Sequence, residues 1–281
     1  MMNAKLLSLP IGIQSFEPLR RDSLLYVDKT ARLQELVTDV RRCFLSRPRR
    51  FGKSLTLSTL EAMFSGKAEL FKGLAAEAWV AEQARHPCPV LSLSMARGRP
   101  TEDIRGFDIS VYNDLMVLGH KHGLPMFRKD TEGALGAFKD VLEGLYDQEG
   151  PVVVLIDEYD KPILDNIGNV RMAETFRGYL RNLYLGLKDY DSHLRFVMLT
   201  GISKFSKTGV FSAMNNLNDI SMDETFGDIV GYTQAELEDN FSGWIDAAAE
   251  KMKRSRSEVL EGIEEYYDGF CFDGVTRLYN P

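Results

Sequence analysis

The feature that most limits the fold is the apolar run Val152-Val153-Val154-Leu155-Ile156, followed at once by two acids, Asp157 and Glu158. A strand with one wet face alternates apolar and polar residues. A run without polar interruption instead fits a central strand buried on both faces of a parallel sheet. Such a sheet needs crossover helices, so strands and helices should alternate elsewhere along the chain. They do. Cys43-Phe44-Leu45 is a short apolar run broken by Pro48, and after Gly52-Lys53-Ser54 the residues Leu55, Leu57, Leu60, Met63 and Phe64 recur at helical spacing. Val90, Leu91, Leu93 and Met95 mark a strand within Pro89–Met95, residues 101–147 are helical in character with breaks near Gly123 and Pro125, a helix fits Met172–Leu187, and Arg195–Thr200 reads as a further strand. Nearer the start, Tyr26–Thr30 ends an extended stretch, with Asp28 or Thr30 able to cap a helix carrying Leu33, Leu36, Val37 and Val40. The pattern is that of a doubly wound α/β sheet.

From about Thr233 the pattern is helical again, and a helical subdomain is expected to about Asp268. Leu237, Phe241, Trp244 and Ile245 form an apolar stripe, which predicts a small C-terminal helical lid. The expected division is a core over residues 1–230, with 231–281 as lid and start of a C-terminal extension. Tyr266, Tyr267, Asp268 and Phe270 either pack that lid or belong to the core. The chain stops at Tyr279-Asn280-Pro281 without a recognisable terminating element, which points to a longer natural protein.

The 281 residues, 44% hydrophobic and 27% charged, are enough to bury a full core. No stretch approaches the roughly 20 apolar residues that span a bilayer, and the first residues lack a signal peptide's apolar core, so a cytoplasmic location is expected. Cys43, Cys88 and Cys271 are odd in number and share no ligand spacing, and the four histidines show no zinc pattern. The net charge of −7 argues against a surface built to wrap nucleic acid.

Between the strand at Cys43–Leu45 and the following helix lies Arg47-Pro48-Arg49-Arg50-Phe51-Gly52-Lys53-Ser54. It nearly fits the phosphate loop G-x-x-x-x-G-K-[ST], in which backbone N–H groups cradle phosphates, the lysine reaches the outer phosphate oxygens and the hydroxyl ligates Mg²⁺. The helix that begins there also points its positive end at the anion. Arg47 stands where the first glycine should be, and Pro48 removes one donor. A bare Gly-Lys-Ser triplet also occurs as a structural turn, so the second half of the site matters. The strand ending in Asp157-Glu158 supplies it: a carboxylate for the metal and a glutamate to orient and deprotonate water. Thr200, with Ser203 behind it, is the candidate to meet the γ-phosphate or the attacking water, although Thr200-Gly201 also reads as a plain turn. The nucleotide-binding set is therefore Arg47, Arg49, Arg50, Phe51, Gly52, Lys53, Ser54 and Leu55; Ser54 and Asp157 hold the metal, and Glu158 and Thr200 are catalytic. One loop arginine has the chemistry of an arginine finger, while the others can pair with nearby acids. Arg177 and Arg181, a helical turn apart, are further candidates or simply a solvated helix face.

Several stretches together resemble one family: LPIGIQSFEPLR, YVDKT, FLSRPRRFGKSLTLSTL, VVVLIDEYDKPI, LTGISKFS with NNLNDIS, and YYDGFCF. The chain is similar to the bacterial and archaeal AAA-ATPase-like proteins, in which an arginine in place of the first loop glycine is usual. The resemblance implies a P-loop NTPase domain that binds ATP, with Lys53 and Ser54 at the phosphates, Asp157 at Mg²⁺ and Glu158 in the catalytic position. Members commonly continue into a nuclease-like domain of the PD-(D/E)XK type, which would begin where this sequence stops. That implies a fragment or a naturally short form. Two functions follow: an ATPase whose hydrolysis moves the lid, or a nucleotide-gated binding module with little turnover. Nucleic-acid binding by the arginine cluster is the weaker reading, because those arginines lie inside the expected phosphate pocket. Ile11–Phe16 is the expected contributor to the adenine site. Nothing in the sequence sets the oligomeric state.

Overall fold

A computed structural model of the chain describes residues 6–96, 102–125, 133–204, 217–267 and 269–281. Asp268, residues 126–132 of the expected helical region, and Phe205, Ser206, Asn215 and Asn216 of the resembling segments lie outside the described residues.

The strands are β1 (Arg42–Ser46), β2 (Val90–Ser94), β3 (Val152–Asp157), β4 (Leu194–Gly201) and β5 (Asn218–Asp219), and they form one sheet in the order β2-β3-β4-β1-β5. Every neighbouring pair is parallel. Chain order and sheet order differ, so β4, although it follows β3 in sequence, inserts between β3 and β1. Its Thr200 registers with Leu45 of β1.

The helices are α1 (Phe16–Arg21), α2 (Thr30–Asp39), α3 (Lys53–Phe64), α4 (Glu77–Gln83), α5 (Ile104–Lys121), α6 (Gly133–Glu149), α7 (Lys161–Leu164), α8 (Val170–Asp189), α9 (Gln234–Met252) and α10 (Arg256–Tyr267). They cover both faces of the sheet. Side chains alternate along each strand, so Val152, Val154 and Ile156 join Val197, Leu199 and the α5, α6 and α8 residues Phe107, Phe138 and Phe176. Val153 and Leu155 join Phe196, Met198, Cys43, Leu45 and the α2 and α3 residues Leu36 and Leu60 on the other face. All five residues Val152–Ile156 are fully buried, which is why this strand carries no polar side chain before its tip.

The last part of the chain differs in character. Thr233 begins α9 with a capping box, its hydroxyl taking the Glu236 N–H while the Glu236 carboxylate takes the Thr233 N–H. Of this helix only Leu237 and Ile245 are buried, and of α10 only Val259. Glu236 meets Lys29 at 2.6 Å and the Trp244 indole donates to the Leu7 carbonyl at 3.0 Å, so α9 rests on the N-terminal segment. After α10, beyond the stretch to Asp268 expected to be helical, the chain forms a hairpin, β6 (Phe270–Cys271) antiparallel to β7 (Arg277–Leu278). Tyr279 then bridges to Tyr232.

Candidate functional site

The site grows from the C-terminal tips of β1, β3 and β4. At the tip of β1 the chain turns through Arg47–Gly52 into α3. Arg50 and Gly52 both take left-handed backbone angles, with φ of 66° and 90°. Gly52 is the N-cap of α3, and in that conformation a β-carbon costs roughly 1–2 kcal/mol, which explains the glycine. No side chain caps α3, so its first N–H groups and its dipole face the loop, as an anion site requires.

Lys53 is 6% exposed, and its ammonium donates to the carbonyls of Arg47 and Pro48, each at 2.8 Å. Burial lowers its pKa, while Asp157, Asp160 and Glu158 pull it back up. The next residue, Ser54, donates its hydroxyl to Asp157 Oδ2 at 2.5 Å. Thr200 Oγ1 donates to Asp157 Oδ1, also at 2.5 Å, and the Glu158 N–H reaches the same oxygen at 3.0 Å. Three residues far apart in sequence thus meet on one carboxylate because β4 stands between β1 and β3.

A hydroxyl and a carboxylate at the N-terminus of a helix form a hard-oxygen donor set suited to Mg²⁺, which usually takes one or two carboxylates beside phosphate oxygens and water. Ser54 and Asp157 are the residues that would hold it. Among the described residues no group of three or more His, Cys, Asp or Glu could hold a metal ion by itself.

Glu158 follows Asp157 with φ of 50°, a left-handed angle at a non-glycine residue that turns the chain sharply off the strand. Burial, assisted by the Asp157 charge, raises its carboxyl above the ordinary glutamate value. Beside it Asp160, 1% exposed, accepts the Ile202 and Ser203 N–H groups at 2.9 and 2.7 Å, and the Tyr159 hydroxyl donates to the Ser203 carbonyl at 2.8 Å. The turn after Thr200 is therefore pinned to the turn after Glu158. Ser203 is placed through its backbone.

The arginines part company. Arg47 is 1% exposed and faces the interior: its Nη1 donates to the carbonyls of Ser46 at 3.0 Å and Ser221 at 2.6 Å, and its guanidinium lies 4.2 Å from the centre of the Phe272 ring. Burial pulls it down to about 10, against the opposing fields of Asp273 and Asp219, so it stays charged at neutral pH. Arg49 and Arg50 are exposed and make no ion pair among the described residues. Arg177 and Arg181 lie on the exposed side of α8, with Arg177 3.9 Å from Glu174. Phe51 is fully buried and packs edge-on against Phe270 and Phe272, while Leu55 is half-buried at the edge of the same core. Ile11 is 87% exposed, whereas Phe16 is buried and takes the Ser58 hydroxyl from α3 as acceptor for its N–H.

Sequence reasoning names Lys53, Ser54, Asp157, Glu158 and Thr200, but not Asp160, Ser221, Phe272 or Asp273. Asp160 was within reach, since it sits in the same acidic stretch as Asp157. Ser221 and Phe272 touch the loop, and Asp273 acts on it by charge, only through long-range folding.

A parallel sheet whose Gly-Lys-Ser loop opens a helix, beside a strand ending in Asp-Glu and with a third strand between them, defines an α/β protein of the P-loop NTPase-like class. The model of the family described as Predicted AAA-ATPase matches residues 10–211, and the chain belongs to that family. It is also 39% identical over 277 residues to the "Uncharacterized protein in vnfD 5'region" of Azotobacter chroococcum mcd 1, a match taking in 97% of this chain and 50% of the relative. The chain spans about half the length of that curated relative. Family membership suggests nucleotide binding and implies ATP as the nucleotide. Among the described residues no helix is long and apolar enough to cross a membrane.

Proposed function

We propose that this chain binds ATP with Mg²⁺ at the Arg47–Ser54 loop and hydrolyses it. The observation that carries this reading is the convergence of Ser54, Thr200 and the Glu158 N–H on the Asp157 carboxylate, at the mouth of the uncapped α3 helix. Lys53 leaves its two loop carbonyls to meet the β- and γ-phosphate oxygens, and the N–H groups of Gly52–Leu55 cradle the phosphates. Ser54 and Asp157 would hold the Mg²⁺, which when bound would supply charge neutralisation at the phosphates. Thr200 places the γ-phosphate or the water. Glu158 takes the proton as water adds to the γ-phosphorus and the bond to the bridging oxygen breaks, leaving ADP and phosphate. Arg49 and Arg50, exposed and without ion pairs among the described residues, are the candidates to offset the growing charge.

In this reading residues 1–230 form the ATPase core. The sparsely buried pair α9–α10 is the element that responds, acting in the cytoplasm on the remainder of a longer protein, such as a nuclease-like domain. Two measurements test it. Mg²⁺-ATP should raise the melting temperature, because a ligand at one hundred times Kd stabilises the fold by about 2.7 kcal/mol. Steady-state phosphate release should then saturate with ATP and require Mg²⁺. No thermal shift at millimolar nucleotide removes the proposal; a shift without turnover replaces it with a nucleotide-gated binding module.

A further inference from the structure

The hairpin β6–β7 sits behind the phosphate loop, and the proposed chemistry makes no use of it. Phe270 lies in β6 and Phe272 just after it, and their rings stack with centres 5.9 Å apart. Phe270 meets Phe51 edge-on with ring centres 4.9 Å apart, and Phe272 does so at 5.5 Å while its face carries the Arg47 guanidinium. Phe51 is enclosed from the other side as well. A β-carbon on Gly231, whose φ is 79°, would come within 3.0 Å of its ring.

The hairpin itself is firmly set. Asp273 Oδ1 accepts the Val275 and Thr276 N–H groups at 2.9 and 2.7 Å, which fixes the turn. Leu278 is fully buried, and Tyr279 exchanges backbone hydrogen bonds of 2.8 and 3.2 Å with Tyr232, just ahead of α9. Among the described residues Arg47 Nε and Nη2 are buried without a hydrogen-bond partner, and the Phe272 ring lies against the same guanidinium. A cation over an aromatic face gains more when it is desolvated, as Arg47 is.

We infer that Phe272, with Phe270, is a positioning element of the phosphate loop, acting through Arg47 at the start of the loop and Phe51 near its end. An arginine in place of the first loop glycine then has a purpose. It ties the loop to a hairpin that comes from the far end of the chain and is joined to the start of α9 through the Tyr232–Tyr279 bridge.

The test uses the full chain with Phe272→Leu, which keeps apolar bulk and removes the ring face, Phe272→Tyr as rescue, and Val275→Ala as a control at an exposed hairpin position. Without nucleotide, amide hydrogen exchange over residues 47–54 should rise at least tenfold in Phe272→Leu, while β3 and β4 keep wild-type protection. Phe272→Tyr should return it to within twofold, and Val275→Ala should not move it. Unchanged loop exchange overturns the inference. So does loss of protection throughout β3 and β4, because the hairpin would then be holding the fold and not the loop.

The inference rests on the nucleotide reading only for its second arm, the Kd for Mg²⁺-ATP. It should weaken at least tenfold in Phe272→Leu and recover in Phe272→Tyr. ATP binding of wild-type strength by a variant with a loosened loop also overturns the inference. A wild-type chain that shows the exchange pattern but binds no ATP sinks the nucleotide reading alone.

Discussion

The two ends of the phosphate loop face in opposite directions. At the Ser54 end, side chains turn outward to a carboxylate shared with two other strands, and Lys53 rests on loop carbonyls that a ligand's oxygens can replace. At the Arg47 end, side chains turn inward: Arg47 lies under Phe272, and Phe51 between Phe270, Phe272 and Gly231. The first end is polar, its partners exchangeable. The second is apolar and packed, so its partners cannot leave without opening a cavity. The contrast suggests that a loop built to grip a changing ligand is steadied from the side that never meets it. Substitutions at the outer end should therefore change binding or chemistry with little loss of packing, whereas those at the inner end should loosen the packing first and reach binding only through the order of the loop.

The largest effect should come from Glu158→Gln, which keeps the side-chain shape and loses the base. Hydrolysis should fall by roughly 10²–10⁴ while the Kd for Mg²⁺-ATP and the melting temperature stay near wild type. A full-rate variant would mean that another residue is the base. Phe51→Ala comes next and should act on stability, costing about 3–5 kcal/mol in denaturant unfolding through the cavity left behind the loop. Were its unfolding free energy to match wild type, the inner end would not be the packed anchor described here.

Lys53→Ala sharpens the contrast from the outer end. It should weaken nucleotide binding by at least tenfold, equivalent to about 1.4 kcal/mol, in a titration with Mg²⁺-ATP. Its cost to stability should be small, because the two hydrogen bonds lost are offset by removing a buried charge whose pKa is already depressed by burial. A large drop in melting temperature would show that the lysine belongs to the structural half of the loop.

How far the sequence shows all this depends on which end of the loop is read. Val152–Ile156 is legible because a strand buried on both faces admits no polar residue, and the meeting of Ser54 with Asp157 is legible because the proposed phosphate and metal chemistry would ask for those residue types in that setting. Thr200 follows from sheet order, since a third strand between the other two must end beside Asp157. The hairpin is not legible in the same way. Strands of two residues are too short to show a period of two, and Phe270, Cys271 and Phe272 read equally well as the end of an aromatic helix. Phe-Asp-Gly is the one local sign of a turn there. The partners of Arg47 stay hidden as well: Ser221 and Phe272 are brought to it by the parallel pairing of β5 with β1 and by the return of the chain after α10. Packing of this kind leaves no spacing rule in the sequence.

The smallest predicted effect concerns pH and belongs to the inner end. Burial pushes the Asp273 carboxyl up, but hydrogen bonds from Thr276 and Val275 outweigh it and hold the group down to about 2, below its usual 3.8. A carboxylate whose folded pKa is depressed adds stability that is complete above the unfolded value and is lost as pH falls through the folded one. The Asp273 contribution is therefore present at pH 7 and fades from about pH 4 towards pH 2. Asp273→Asn keeps an oxygen acceptor for the same two N–H groups and loses the charge that strengthens them and acts on Arg47. Urea unfolding at pH 7 should then place the variant below wild type by less than about 1 kcal/mol. The gap should narrow on going to pH 3, because the carboxyl of the unfolded chain takes up a proton there while the folded one stays charged. A gap that stays constant across this range would mean that the charge contributes nothing, and that the Asp273 turn holds the hairpin behind the loop by its shape alone.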